Sequence, residues 1–369
     1  MGVKPKPQIV DLPVYQPGKP ISEVKRELGL TEVVKLASNE NPYGCSPLVR
    51  EAIRNYAAET HIYPDGGCLE LRDALGEFLG VEPDRIIFGA GADEIITMIA
   101  RAFLQPGDET VMASHTFSQY RLNARVEAAE IVEAPMKDGT HDLDAMLERI
   151  GPRTKIVWVC NPNNPTGTLV TEAELVRFLE RVPSHALVVL DEAYFEYYRG
   201  IHPDGPDGIR LLGRFSNLIV LRTFSKIYGL AGLRVGYGVS SPDIIRHLNR
   251  VRNPFNVNAF AQKAAIAALQ DQDFVAECRR RNREGMDRLT AAFDRLGLAY
   301  YPSWANFVLV DVRRPAKDMF GALLRKGVIV RGGHELGFPT WLRVTVGSPA
   351  ENDKFLAALE ACLKETQAV

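Results

Sequence analysis

The sequence predicts an α/β protein, with a large domain on a mostly parallel sheet and a smaller α+β domain beside it. Three observations carry that reading. From about residue 47, short apolar runs alternate with segments of helical period. Several runs, such as Ile156-Val157-Trp158-Val159 and Leu187-Val188-Val189-Leu190, show no polar alternation. Strands of this kind are buried on both faces, as in a parallel sheet covered by helices. The chain has 369 residues, beyond the roughly 250–300 at which a single core stops growing, so two domains are expected. From Leu298 the order changes to strand, helix, strand, strand, helix. The expected division is 44–255 for the large domain, with 1–43 and 256–369 supplying an N-terminal arm and the small domain.

Taken in order, residues 1–43 are punctuated by Pro13, Pro17, Pro20 and Pro42, with a short helix expected at 22–28. Helices follow at 47–58 and 68–79. The pattern then alternates: strand 85–89 and helix 92–103, strand 109–113 and helix 117–129, strand 130–134 and helix 143–150, strand 155–160 and helix 172–182. Strands at 186–191, 217–221 and 235–239 come next. A long helix opens at 259–269 and continues through the charged run Arg279-Arg280-Arg281-Asn282-Arg283-Glu284. Glu neighbours at helical spacing make that run a solvated face rather than a nucleic-acid patch. Strands at 306–312, 328–331 and 341–346, with helices at 316–326 and 351–363, form the smaller unit.

Hydrophobic content of 46% and charged content of 24% are ordinary for a globular protein. Lys+Arg number 44 against Asp+Glu 46, a net charge of −2. That balance gives no electrostatic footing for nucleic acid or an anionic membrane. Cys45, Cys68, Cys160, Cys278 and Cys362 are scattered, with no C-x-x-C pair, which fits reduced thiols better than disulfides or a zinc site. No metal site is expected. The N-terminus leads into no apolar signal-like region, and no run is long enough to span a bilayer. The expectation is a cytoplasmic protein.

The stretch from Thr223 to Gly238 follows an apolar strand and sets Lys226 among Thr223, Ser225, several glycines and Arg234. A lysine there can form a Schiff base with an aldehyde, while the hydroxyls and Arg234 hold an anion beside it. Taken alone, it also reads as a surface lysine in a polar loop. Gly89-Ala90-Gly91-Ala92-Asp93-Glu94 joins a strand to a helix. Glu94 stands where a dinucleotide fingerprint needs its third glycine, so a nicotinamide site is disfavoured. The free N–H groups near Ala92 and Asp93 suit a phosphate, and a plain tight turn is an equal reading. Asp191 closes an apolar strand, at the end where ligands of parallel sheets bind.

These segments together resemble the fold-type I pyridoxal 5′-phosphate (PLP) aminotransferases. The resemblance is carried by S-K-x-x-G-L-A-G-L-R-x-G-Y from Ser225, G-x-G-A-D-E from Gly89, N-P-x-N-P-T-G from Asn161, D-E-A-Y from Asp191 and R-V-T-V-G from Arg343. It implies a seven-stranded sheet in the large domain and a Lys226 that carries the cofactor and moves protons. It implies that Ala92, Asp93, Thr223, Ser225 and Arg234 hold the cofactor phosphate. Asp191 would partner the ring nitrogen, Asn164 and Tyr194 would donate to the phenolic oxygen, and Phe117 would stack on the ring. Tyr63 would reach the cofactor of a second subunit, implying a homodimer with composite sites. Arg343 would grip the substrate's anionic group, with Arg331 and Asn306 sharing that role. Glu192 reads as structural.

Across nearly the whole chain the sequence is most similar to histidinol-phosphate aminotransferases. Y-x-P-G-K from Tyr15, V-K-L-A-S-N-E-N-P-Y-G from Val34 and R-N-P-F-N-V-N from Arg252 carry that likeness. It implies that Tyr15 closes over the substrate, that histidinol phosphate is the amino donor, and that 2-oxoglutarate becomes glutamate. An aromatic amino-acid aminotransferase is the alternative, because one arginine site can take a phosphate or a carboxylate. Trp304 stands where a polar residue is expected, as a side-chain selector or as packing.

Overall fold

The computed structural model describes residues 3–14 and 18–365. Its strands are β1 (Val34–Leu36), β2 (Ile86–Gly89), β3 (Glu109–Ala113), β4 (Glu130–Ala134), β5 (Met136–Lys137), β6 (Thr140–His141), β7 (Thr154–Cys160), β8 (Leu187–Asp191), β9 (Leu218–Thr223), β10 (Gly236–Val239), β11 (Phe307–Asp311), β12 (Val328–Gly332) and β13 (Trp341–Thr345). The large sheet has seven strands in the order β2-β10-β9-β8-β7-β3-β4. β10 runs antiparallel to both its neighbours, and every other pair is parallel.

The absence of polar alternation has a direct cause. Val157, Val159, Val188, Leu190 and Val220 enter one buried cluster. Their neighbours Ile156, Trp158, Val189, Ile219 and Leu221 enter another on the opposite face. Successive side chains of a strand point to opposite faces, so a sheet covered twice needs apolar residues at every position.

The smaller sheet has the order β1-β12-β13-β11. β1 comes from the N-terminal arm and pairs parallel to β12. The arm therefore adds a strand to the sheet, and Leu36 joins Val330, Leu342 and Phe355 in its core.

The long helix expected from 259 is two helices, Ala259–Gln270 and Gln272–Arg295. Asp271 interrupts them, with φ −111° and ψ 71°, and its side chain accepts from the Phe274 N–H. That is an N-cap, which requires non-helical backbone. Ala261, Ala264, Ala265 and Ala268 of the first helix share a cluster with the large sheet. A helix at Pro242–Val251 and the β5–β6 hairpin are additional to the expected elements.

Candidate active site

β7 and β8 end level, Cys160 opposite Asp191, and β9 runs on to Thr223 rather than stopping at Leu221. Their C-terminal ends open on a cavity of about 510 Å³. Lys226 enters it from the loop after β9. That loop is pinned on both sides of the lysine: Phe224 and Ile227 are fully buried. The Gly229 N–H donates to the Lys226 carbonyl at 2.9 Å, and the Leu230 N–H to that of Phe224 at 3.0 Å. Burial lowers the Lys226 amine to about 8, and the Arg343 charge adds to the effect. Desolvation and a like charge both disfavour the ammonium form.

Asp191 faces the same space. One carboxyl oxygen accepts from the Tyr120 hydroxyl at 2.6 Å and the other from the Ala193 N–H at 3.1 Å. Burial lifts this carboxyl to about 6. The Tyr194 hydroxyl accepts from Asn39 Nδ2 at 3.0 Å, which leaves its own proton to donate. Burial pushes its pKa upward, so it stays protonated. Asn164 Oδ1 accepts from Arg343 Nη1 at 2.7 Å. A guanidinium has no acceptor, so the amide oxygen must face it, leaving the Asn164 NH₂ as a donor.

At the other end of the cavity the helix Ala92–Phe103 begins. Its N-cap, Gly91, has φ +80° and no side chain capping the first N–H groups. Gly236 sits against this start, where an added Cβ would lie 2.5 Å from the Ala92 nitrogen. Arg234 adopts φ +57°, unusual for a residue with a side chain. Its guanidinium reaches Ser225 Oγ at 3.3 Å, and Asp93 Oδ2 and the Ala90 carbonyl at 3.4 Å. These long contacts around uncapped N–H groups form an anion cup. Thr223 Oγ1 accepts from the Ser225 N–H at 3.1 Å at its edge.

Arg343 on β13 also donates to the Ala37 carbonyl at 2.7 Å, and Arg331 on β12 lies directly opposite it in the ladder. Arg331 pairs with Glu335 at 2.9 Å. Two neighbouring guanidiniums on the cavity wall favour an anion of more than one charge.

The family pattern described as "Aminotransferase class I and II" matches residues 31–359. A histidinol-phosphate aminotransferase of Brevibacillus brevis is 54% identical, over 97% of this chain and 98% of its own. That of Bacillus subtilis is 52% identical over 97% and 99%. The crystal structure of histidinol-phosphate aminotransferase from Sinorhizobium meliloti in complex with PLP superposes with a TM-score of 0.91, at 30% identity and 99% coverage of both chains. The chain belongs to the histidinol-phosphate aminotransferases. A Thermus thermophilus aspartate aminotransferase double mutant shares the fold, with a TM-score of 0.84 at 25% identity, over 98% of this chain and 100% of that one.

PLP is the family's cofactor, and the residues present fit it. A partly neutral amine, a buried carboxyl acceptor, donors from Asn164 and Tyr194, and an anion cup surround one cavity. Phe117, Ala92, Asp93, Thr223, Ser225, Arg331 and Arg343 line it too. Other expected positions fall elsewhere. Asn306 lies outside the lining; its Nδ2 donates to the Asn39 carbonyl at 2.9 Å, behind Tyr194. Tyr63 is 78% exposed and stacks on Phe255 at 4.8 Å, away from the cavity. Trp304 packs against His202, ring centroids 4.3 Å apart, and lines a separate small pocket. Tyr15 lies outside the described residues. Glu192 accepts two bonds from Arg222, at 2.9 and 2.7 Å, wholly buried beneath the site.

Sequence reasoning missed Asn39, Glu335 and Tyr120. Asn39 lay inside a quoted motif, and its left-handed backbone, φ +56°, suits asparagine better than most residues. Tyr120 carried a weak signal, an aromatic three positions after Phe117 on a helix.

Proposed function

We propose that this chain transfers the amino group of L-histidinol phosphate to 2-oxoglutarate, using PLP held between Lys226, Asp191 and the Arg234 cup. The observation that supports it most is the pairing, in one cavity, of a half-buried lysine of lowered pKa with the cross-strand arginines 331 and 343. When bound, PLP supplies an aldehyde that condenses with amines and a ring that draws electrons from the substrate carbon. The chain does the rest. Lys226 Nζ would take the proton from the substrate carbon and hold it for return, a task matched to an amine lowered to about 8. Asp191 accepts from the ring nitrogen. The Asn164 NH₂ and Tyr194 hydroxyl donate to the phenolic oxygen, and Phe117 offers a flat apolar face.

Ala92, Asp93, Thr223, Ser225 and Arg234 hold the cofactor phosphate. Arg343 and Arg331 take the substrate phosphate, then the carboxylates of 2-oxoglutarate. Asn306 acts one layer back, by fixing Asn39, and Tyr15 is assigned to closure over the substrate.

The reading includes a second copy of the chain. Tyr63 is exposed, as are its stacking partner Phe255 and the adjacent Ile62, a setting that favours contact with a partner site. The division at 44–255, with 1–43 and 256–369, and a cytoplasmic location belong to the same reading. Among the described residues, no helix is long and apolar enough to cross a membrane.

The test is a single-turnover titration of the PLP form with L-histidinol phosphate and, in parallel, L-phenylalanine. Conversion at far lower histidinol phosphate is expected. Equal or better conversion of phenylalanine would move the assignment to aromatic amino acids.

A further inference from the structure

Among the buried titratable side chains that the proposed chemistry leaves unused, Tyr120 bonds Asp191 directly. Tyr120 is fully buried, and its hydroxyl donates to Asp191 Oδ2 at 2.6 Å. Its ring stacks on Trp158, with centroids 4.8 Å apart and planes 11° from parallel. Trp158 Nε1 donates to Thr110 Oγ1 at 2.7 Å, and that hydroxyl donates to the Ile156 carbonyl at 3.1 Å. The donor aimed at Asp191 is thereby tied into the β3–β7 ladder. Phe117 meets the same tyrosine edge-on at 5.5 Å.

Several groups act on Asp191. Burial and the Asp93 charge push it toward the protonated form, while Tyr120, the Ala193 N–H and Lys226 favour the carboxylate. Cys160, its neighbour on β7, has its thiol pushed up to about 12 by burial and stays neutral. Tyr194 stays protonated. Among these, Tyr120 is the side chain that bonds the carboxyl directly.

We propose that Tyr120 is a positioning residue that fixes Asp191 as an ionised acceptor facing the cavity, so that the proton shared with a bound pyridine ring rests on the ring nitrogen. This rests on the PLP reading above. A shared proton can sit on the carboxyl or on the ring, and each donor to the carboxylate favours the ring. A protonated ring is the better electron sink.

The experiment follows PLP labelled with ¹⁵N in the ring, by NMR of the holoenzyme from pH 6 to 9, in the parent, Tyr120→Phe and Trp158→Phe. In Tyr120→Phe the ring resonance should move toward the unprotonated position. Its kcat should fall roughly 10- to 100-fold, as for one bond to a charged acceptor, with KM for histidinol phosphate changing less than about threefold. Trp158→Phe, which keeps the hydroxyl, should leave the resonance in place. An unmoved resonance in Tyr120→Phe, or equal shifts in both variants, would overturn the proposal. Should Tyr120→Phe not fold, 3-fluorotyrosine placed at 120 gives a stronger donor of the same shape. Its resonance should then move further toward the protonated side, and no movement would count against the proposal. Failure of the parent to retain PLP would instead defeat the functional reading.

Discussion

The amine of Lys226 gives up its proton near pH 8 because burial strips its water and Arg343 repels its charge. Only the free amine captures an aldehyde, so PLP uptake by cofactor-free protein should accelerate as pH rises through about 8. Stopped-flow absorbance checks this, and a midpoint near 10.5, the ordinary lysine value, would mean that the amine is solvated. Asp191 is displaced the other way, from 3.8 to about 6. The folded chain then binds more protons than the unfolded chain between those values, so this group lowers stability as pH climbs through that window. Cofactor-free Asp191→Asn should therefore be more stable than its parent above pH 6, by up to about 3 kcal/mol. The difference should close below pH 4, as read by urea unfolding. For Arg343→Ala, KM for histidinol phosphate should rise by about tenfold or more while PLP affinity moves less than about threefold. An unchanged KM would remove Arg343 from the anion grip.

Helix starts carry more of this architecture than their sequence suggests. Asp271 caps the helix Gln272–Arg295 through the Phe274 N–H at 3.0 Å and also accepts from Ser46 Oγ. Ser46 in turn caps the helix Pro47–Tyr56. Asp271→Ala removes support from both starts and should cost about 1–2 kcal/mol in chemical denaturation. Gly236→Ala would press a methyl on the Ala92 nitrogen and should weaken PLP retention measured by dialysis, while Lys226 keeps its reactivity.

The central strands β7, β8 and β9 of the large sheet were readable because doubly buried strands are written as apolar runs. The break at Asp271 was not, since a cap residue and a continuing charged helix share one period. β1 is only three residues long, and its pairing with β12 depends on chain nearly three hundred residues away. The same holds for Tyr120, whose role rests on an aspartate 71 residues downstream. Lys226, Asp191, Asn164 and Arg234 stand inside local motifs, which is why the sequence singles them out, and the fold gathers them on one cavity.

For the assembled molecule, the exposed stack of Tyr63 on Phe255 is where a monomer and a dimer would differ. Sedimentation should give twice the 40.9 kDa of one chain. Tyr63→Ala should raise the PLP dissociation constant about tenfold, if its hydroxyl serves a partner's anion cup; no change would assign Tyr63 to the interface alone. A different property follows from the single span that joins β9 to β10. Lys226 and Arg234 both stand on it, and its ends are locked by Phe224 N–H donating to the Val235 carbonyl at 3.1 Å. On the proposed reading, one stretch of backbone would take both the aldehyde and the phosphate of a ligand, and so would work as a gauge of ligand length. A pyridoxal analogue with one extra methylene before its phosphate could satisfy the lysine or the cup, but not both.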